Sequence, residues 1–208
     1  MSDSNSPDRD GKPVAAAVVA AAALFGLLVC NRAEPPPPAA VAIVVPARAA
    51  SPWADLGLYL KRPLPGGLEL NIPERGMEGR LLLFIQDPSS TPNRETWFDF
   101  DRLLFDTNAT TLRPESHEQL GNIATILKAY PNVAVKLGGY TDSSGPTEYN
   151  VKLSQGRADS VKGELVRLGI AADRLAAEGY GEKFPIGDNA TEEGRARNRR
   201  TAVRVTAK

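Results

Sequence analysis

From residue 97 to residue 206 the sequence alternates strand-type and helix-type patterns, and this order limits the folds that the chain can adopt. Strand-type segments, in which apolar residues cluster or alternate, occupy residues 97–105, 133–137, 175–180 and 201–206. Helix-type segments, in which apolar residues recur every three or four positions, lie between them at residues 113–130, 147–168 and 191–199. The order βαβαβαβ, with helices long enough to cover one face of a sheet, predicts a two-layer α/β (α+β) sandwich.

An uninterrupted apolar run at residues 14–29 precedes this region. As a helix it would span roughly 24 Å, slightly less than the ~30 Å hydrocarbon core of a bilayer. An uncleaved signal-anchor helix at residues 13–30 is the interpretation that we favour, and Arg9 and Lys12 then indicate a cytoplasmic N-terminus. The run therefore predicts a single inner-membrane span.

Two other interpretations of the same run remain open. Leu-Leu-Val-Cys at residues 27–30 resembles a lipobox, which would place a lipid on Cys30 in the outer membrane, although Val29 is bulkier than the usual Gly, Ala or Ser. A cleaved signal peptide would need a small-x-small site, and Ala-Val-Ala at residues 40–42 has that form. The three interpretations share an envelope location and differ only in the anchor.

The remaining segments complete the predicted organisation of the chain. Residues 1–12 form a polar head, and residues 31–50 form a Pro- and Ala-rich linker, in which four consecutive prolines favour an extended, semi-rigid spacer. Residues 51–94 are interpreted as an accessory segment packed on the main domain, residues 95–208. Within this segment Leu68, Leu70 and Ile72 alternate as in a strand, while Met77, Leu81 and Ile85 have helical spacing.

The charge balance and the scarcity of Cys and His exclude several classes of function. Lys and Arg number 25 and Asp and Glu number 25, so no basic excess exists for nucleic-acid binding. Cys30 is the one cysteine and His117 the one histidine, which excludes an intramolecular disulfide and a structural zinc site. We predict no metal, no cofactor and no nucleic-acid partner.

The residues that indicate a binding site are Asp142, at the exit of the second predicted strand, and Asn150, Ser154 and Arg157 on the following helix. Their spacing predicts that the three helical side chains share one face, close to Asp142. Such a site suits a ligand that carries an ammonium and a carboxylate on one carbon, because Asp accepts from the first and Arg binds the second. A purely structural Asp–Arg salt bridge is the alternative.

Four segments of the chain resemble the motifs of OmpA-like peptidoglycan-binding domains. They are Phe-Asp-Thr-Asn at residues 105–108, Gly-Tyr-Thr-Asp at 139–142, Asn-Val-Lys-Leu-Ser-Gln-Gly-Arg-Ala at 150–158 and Glu-Gly-Arg-Ala-Arg-Asn-Arg-Arg at 193–200. The resemblance covers about 110 residues, in order and with compatible gaps. It implies a periplasmic domain of the bacterial cell envelope that binds the diaminopimelate-containing stem peptide of peptidoglycan and anchors a membrane to the wall without catalysing a reaction.

The resemblance also implies a role for individual residues. Asp142 would bind the ammonium of diaminopimelate and Arg157 its carboxylate, with Asn108, Asn150 and Arg199 completing the pocket. Thr141 and Ser154 would hold the loop and the helix in register. An ion-driven stator subunit is the alternative function, but such machines need an ionisable residue within the span, and residues 14–29 contain none.

Overall fold

The computed structural model describes residues 54–208, so the predicted head at 1–12, the helix at 13–30 and the linker at 31–50 lie outside the described residues. Between residues 54 and 208, no helix combines the length and the apolar character that crossing a membrane requires. The helices and strands are β1 (Tyr59–Pro63), β2 (Glu69–Pro73), α1 (Met77–Gln86), β3 (Phe98–Asp99), α2 (Ser116–Ala129), β4 (Ala134–Tyr140), α3 (Thr147–Arg167), β5 (Leu175–Gly181), α4 (Glu192–Asn198) and β6 (Thr201–Ala207).

A four-stranded mixed sheet with the order β3-β6-β4-β5 forms the centre of the main domain. β4 pairs in parallel with β5 and antiparallel with β6, which in turn pairs antiparallel with β3. Alternate residues of the central strands are fully buried with α2 and α3 in one core, namely Val135, Leu137, Val203 and Val205. The predicted mixed α/β domain is confirmed for this part of the chain.

The first predicted strand, at residues 97–105, is wrong in length. Only Phe98 and Asp99 pair with β6, and Phe105 forms one isolated bridge with Leu112. The chain leaves the sheet at Asp101 and Arg102, because the Arg102 amide donates to Gln119 of α2 and its side chain enters the interior. An apolar run predicted a continuous strand here, whereas a buried charge interrupts it.

The segment before the main domain forms a β1–β2 hairpin followed by α1, and both pack into the same hydrophobic core as the sheet. Leu70, Ile72, Met77, Leu81 and Ile85 are buried, which confirms the strand and helix predicted from their spacing. Leu68, by contrast, lies just before β2 and is 46% exposed. β1 has no predicted counterpart, because its residues are mostly exposed and show no alternation.

A buried ionic network joins this segment to the main domain. Glu78 of α1 forms an ion pair with Arg102, and the two residues are 0% and 1% exposed. Asp101 accepts from the backbone amide of Met77 at 2.7 Å, and Gln119 donates to Asp101 at 2.6 Å. Because a buried charge is tolerated only when it is paired and hydrogen-bonded, these contacts fix α1 against α2.

α3 approaches the sheet so closely that two strand positions accept only glycine. A Cβ atom at Gly139 of β4 would lie 2.1 Å from the Ser154 carbonyl oxygen, and one at Gly179 of β5 would lie 2.2 Å from the Gln155 nitrogen. Backbone thus packs directly on backbone at the middle of α3. This contact places the N-terminal half of α3 beside the ends of β4 and β5, where the candidate site lies.

Candidate functional site

A cavity of about 540 Å³ opens where β4 ends and α3 begins. Its walls come from four parts of the chain: residues 103–108, the loop after β4, the first three turns of α3, and both ends of α4. All five residues that the sequence predicted for the site line this cavity, namely Asn108, Asp142, Asn150, Arg157 and Arg199. The structure therefore brings together residues that are up to about 90 positions apart in the sequence.

Asp142 is only 7% exposed and makes two hydrogen bonds through its carboxylate. Oδ1 accepts from the backbone amide of Ser144 at 2.9 Å, and Oδ2 accepts from Arg199 Nη1 at 2.8 Å. Burial alone would raise the pKa of Asp142, but these bonds outweigh it and hold the pKa below its ordinary value of 3.8. The carboxylate is therefore ionised at neutral pH and keeps acceptor positions for a further donor.

Arg199, at the end of α4, is held by two carboxylates. Its Nη1 pairs with Asp142, and its Nη2 donates to Glu192 Oε1 at 2.6 Å. These two bonds raise the pKa of Arg199 above its ordinary value. Since both partners are negative, the charge of Arg199 is balanced within the site.

Arg157 does not pair with Asp142, although the spacing on α3 predicted that it would lie beside it. Its Nε donates to the backbone carbonyl of Ala109 at 3.1 Å, and its guanidinium carbon lies 5.1 Å from the centre of the Phe105 ring. No carboxylate of residues 54–208 forms an ion pair with it. Burial lowers the pKa of Arg157, yet an arginine stays charged in proteins. Arg157 thus offers a positively charged group to the cavity.

The two asparagines differ in what they can offer a ligand. Asn150 is buried, and its Nδ2 donates to the Asp142 carbonyl at 3.3 Å and to Glu182 at 3.0 Å. Its amide group therefore positions the loop that carries Asp142. Asn108 has a φ of 52° in the turn closed by the Ala109 amide and the Asp106 carbonyl, a conformation that Asn tolerates better than most residues.

Ser154 and Thr141, for which the resemblance implied a role in holding the loop and the helix in register, have different surroundings. Ser154 faces the sheet rather than the cavity, and its Oγ accepts from the Gly181 amide at 2.9 Å, which holds α3 in register with β5. Thr141 lines the cavity and is 5% exposed, and its Oγ1 is buried without a hydrogen-bond partner among the described residues. The sequence did not reveal this unsatisfied hydroxyl, which a ligand could reach only after a small movement of the cavity wall, because the atom has almost no accessible surface.

In the described part of the chain, no group of three or more His, Cys, Asp and Glu side chains could hold a metal ion. Glu192 and Tyr149 also line the cavity and were not among the predicted residues. Their positions follow from the packing of α4 and α3 around the loop after β4, which local spacing does not show.

Comparison with known proteins identifies the domain that holds this cavity. The model of the OmpA family matches residues 104–199. This domain belongs to the OmpA family. The resemblance found in the sequence is thereby confirmed, and the OmpA-family domain contains all five predicted site residues.

Relatives of the OmpA-family domain occur in several bacteria. Outer membrane porin F of Pseudomonas fluorescens is 48% identical over 103 residues, which make up 50% of this chain and 32% of that protein. Peptidoglycan-binding protein ArfA of Mycobacterium bovis is 42% identical over 103 residues, again 50% of this chain and 32% of that protein. The chain thus covers about a third of the length of these two relatives.

A solved structure shares the fold. A MotB-like protein from Desulfovibrio vulgaris aligns with a TM-score of 0.51 over 63% of this chain and 88% of that chain. The two sequences are 23% identical, so the likeness concerns the arrangement of helices and strands alone.

Proposed function

We propose that the chain is a non-enzymatic protein of the bacterial cell envelope that binds the diaminopimelate-containing stem peptide of peptidoglycan and anchors a membrane to the cell wall. The observation that carries this proposal is one cavity lined by the ionised Asp142 and by Arg157, whose guanidinium has no carboxylate partner among residues 54–208. The name of the ArfA relative and the family of the domain agree with it.

The free end of diaminopimelate carries two charged groups that are complementary to this cavity. It carries an ammonium and a carboxylate on one carbon, and Asp142 can accept from the ammonium through its remaining lone pairs. Arg157 binds the carboxylate, because Arg199 is already neutralised by Asp142 and Glu192. Asn108 and Asn150 shape the rim and the loop around the ligand, and the Thr141 hydroxyl supplies one further hydrogen bond.

The anchoring role assigns a function to the part of the chain that precedes residue 54. We propose that residues 13–30 form an inner-membrane span, with a lipidated Cys30 in the outer membrane as the alternative, and that residues 31–50 form a spacer. The OmpA-family domain then lies in the periplasm. Many copies tethered to one membrane would hold the wall through multivalency, even if each site binds weakly.

Cosedimentation of the purified full-length protein with diaminopimelate-type sacculi tests the proposal. We expect the wild type to sediment and Asp142→Ala and Arg157→Ala to stay in solution, because each removes one of the two charges that bind the ligand. Thr141→Val should sediment about three- to tenfold less, the effect of one hydrogen bond of about 1 kcal/mol.

The control for this experiment is Arg62→Gln, which removes an exposed charge on β1 outside the cavity and should sediment like the wild type. Thermal unfolding of each variant shows whether a loss of binding reflects a loss of fold. A wild-type protein that stays in solution, or folded Asp142 and Arg157 variants that still sediment fully, would contradict the proposed function.

A further inference from the structure

A second cavity of about 290 Å³ adjoins the site and shares part of its wall. Four residues line both cavities, namely Leu103, Phe105, Arg157 and Arg199. We call the second cavity the arginine annex, because the guanidinium-bearing residues Arg157, Arg197, Arg199 and Arg200 all line it. A ligand that occupies the first cavity can therefore extend into the annex past Arg157.

The annex has an excess of positive charge. Asp99 is its only carboxylate, and this group pairs with Arg200 at 3.3 Å. Arg199 is neutralised by the carboxylates of the first cavity. Arg157 is assigned to the carboxylate at the free end of diaminopimelate. The charge that remains for the annex is therefore that of Arg197, which is exposed and has no carboxylate partner among residues 54–208. The annex is therefore complementary to an anion.

A hydrogen-bond donor in the annex also lacks an acceptor. Arg200 Nε pairs with Asp99, and Nη2 donates to the Phe184 carbonyl at 3.1 Å, but Nη1 is buried without a partner in the described part of the chain. The Arg200 guanidinium also lies 3.9 Å from the centre of the Tyr140 ring, which fixes its plane. A buried N–H without an acceptor is costly, but Nη1 has almost no accessible surface, so a carboxylate in the annex would reach it only after a small movement of the wall.

Four large apolar side chains also line the annex, namely Phe100, Leu103, Phe105 and Ile186, and Ala196 and Thr201 complete its lining. Apolar walls beside fixed guanidinium groups suit a ligand that combines a carboxylate with short aliphatic segments. A free inorganic anion would use only the charged side. The lining of the annex therefore favours an organic carboxylate that belongs to the same ligand as the group bound in the first cavity.

We infer that the arginine annex binds a second carboxylate of the same stem peptide, beyond the diaminopimelate end that Asp142 and Arg157 hold. This inference rests on the proposed function. Two groups of the peptide have this chemistry: the α-carboxylate of the glutamate that precedes diaminopimelate, and the carboxylate at the peptide-bonded centre of diaminopimelate. Conversion of either carboxylate to an amide removes the negative charge that the annex binds. We therefore expect the affinity for the stem peptide to depend on whether this carboxylate is amidated.

Isothermal titration calorimetry on the full-length protein tests this inference with Arg197→Gln. The side chain of Arg197 has no hydrogen bond or ion pair in the described structure, and Arg197 is not among the residues that we propose to bind the free end of diaminopimelate. The probes are free diaminopimelate, the tripeptide L-Ala-γ-D-Glu-diaminopimelate, its glutamyl α-carboxamide and its carboxamide at the peptide-bonded centre of diaminopimelate. Arg62→Gln serves as the charge-matched control.

We expect Arg197→Gln to weaken binding of the unmodified tripeptide about threefold, as suits a partly solvated charge pair. Free diaminopimelate carries the second carboxylate of diaminopimelate but no glutamyl carboxylate, so the variant weakens its binding if the annex binds the former and leaves it unchanged if the annex binds the latter. One of the two amidated tripeptides lacks the carboxylate that the annex binds. Arg197→Gln should leave the affinity for that tripeptide unchanged, and this result identifies the carboxylate. Equal effects on all three tripeptides, or no effect on any, would overturn the annex while diaminopimelate binding upholds the proposed function. A wild type that binds none of the probes would overturn both.

Discussion

At the scale of single residues, Asp142 keeps its negative charge in a nearly buried position because two donors satisfy it. The Ser144 amide and Arg199 occupy one acceptor position on each oxygen, and Arg199 is itself fixed by Glu192. The carboxylate therefore needs no rearrangement before an ammonium group arrives. Pre-organisation of this kind increases affinity by lowering the cost of ordering the site on binding.

The lowered pKa of Asp142 predicts how the stability of the fold depends on pH. A carboxyl whose pKa in the folded state lies below its unfolded value of 3.8 stabilises the fold above that pH, and this contribution is lost as the pH falls through the folded pKa. We expect the melting temperature of the wild type to fall more than that of Asp142→Asn between about pH 6 and about pH 3. Differential scanning calorimetry at both pH values checks this, and equal falls would contradict the lowered pKa.

At the scale of elements, α3 determines the geometry of the site. Its N-terminal half carries Asn150 and Arg157, while Ser154 between them bonds to β5. The close approach at Gly139 and Gly179 sets the distance between this helix and the sheet. A change in that distance would move the side chains of the helix relative to Asp142.

Substitution of Gly139 by alanine should be strongly destabilising. The new Cβ would overlap the Ser154 carbonyl oxygen, and neither backbone segment can shift without breaking the sheet or the helix. We expect a loss of about 3 kcal/mol or more in the free energy of unfolding, measured by urea denaturation. Gly163→Ala, on α3 with open space around it, is the matched control and should be neutral or stabilising by about 0.5–1 kcal/mol. Similar effects of the two substitutions would refute the close-packing argument.

Local patterns predicted the elements of this fold but not the partners of its charges. The alternation at Val133, Val135 and Leu137 and the spacing of apolar residues in α2 and α3 were sufficient, because each pattern reflects contact with one core. Arg199 as the partner of Asp142 was not predictable, since 57 positions separate the two and their contact depends on α4 lying beside the end of β4. The burial of Arg102 was not predictable either, because its partners lie in other segments. Glu78 pairs with its side chain, and Gln119 accepts from its backbone amide.

At the scale of the whole molecule, the segment from β1 to α1 is part of one folded unit with the OmpA-family domain. Residues 54–208 lie within one compact unit, and the buried pair of Glu78 and Arg102 joins α1 to the loop after β3. Lys208, at the other end of the chain, donates to the carbonyls of Phe84 and Asp87 at the end of α1. The loop after β3 and residue Lys208 therefore both contact α1.

Removal of the buried guanidinium should therefore destabilise the whole unit. Arg102→Met leaves the Glu78 carboxylate buried without its cation, which costs about 3–5 kcal/mol in comparable sites. The double variant Glu78→Met/Arg102→Met should cost less than the sum of the single changes, because it leaves no unpaired charge on either residue. Urea denaturation followed by tryptophan fluorescence measures both, with exposed Arg80→Met on α1 as a control expected within about 0.5 kcal/mol of the wild type. A loss for Arg102→Met no larger than that of the control would show that the network does not join the two parts.

The position of this network also bears on how the protein would respond to mechanical load. In the anchoring role that we propose, with the domain bound to the wall at its cavity and the preceding chain held at a membrane, tension would pass through β1, β2 and α1 before it loads the central sheet. Separation of α1 from the loop after β3 would release residues 54–96, and at about 3.3–3.6 Å per residue these would extend by up to roughly 150 Å. The sheet, α3 and the bound peptide would stay intact during that extension. The Glu78–Arg102 pair would then determine the force at which residues 54–96 extend while the domain stays bound to the wall.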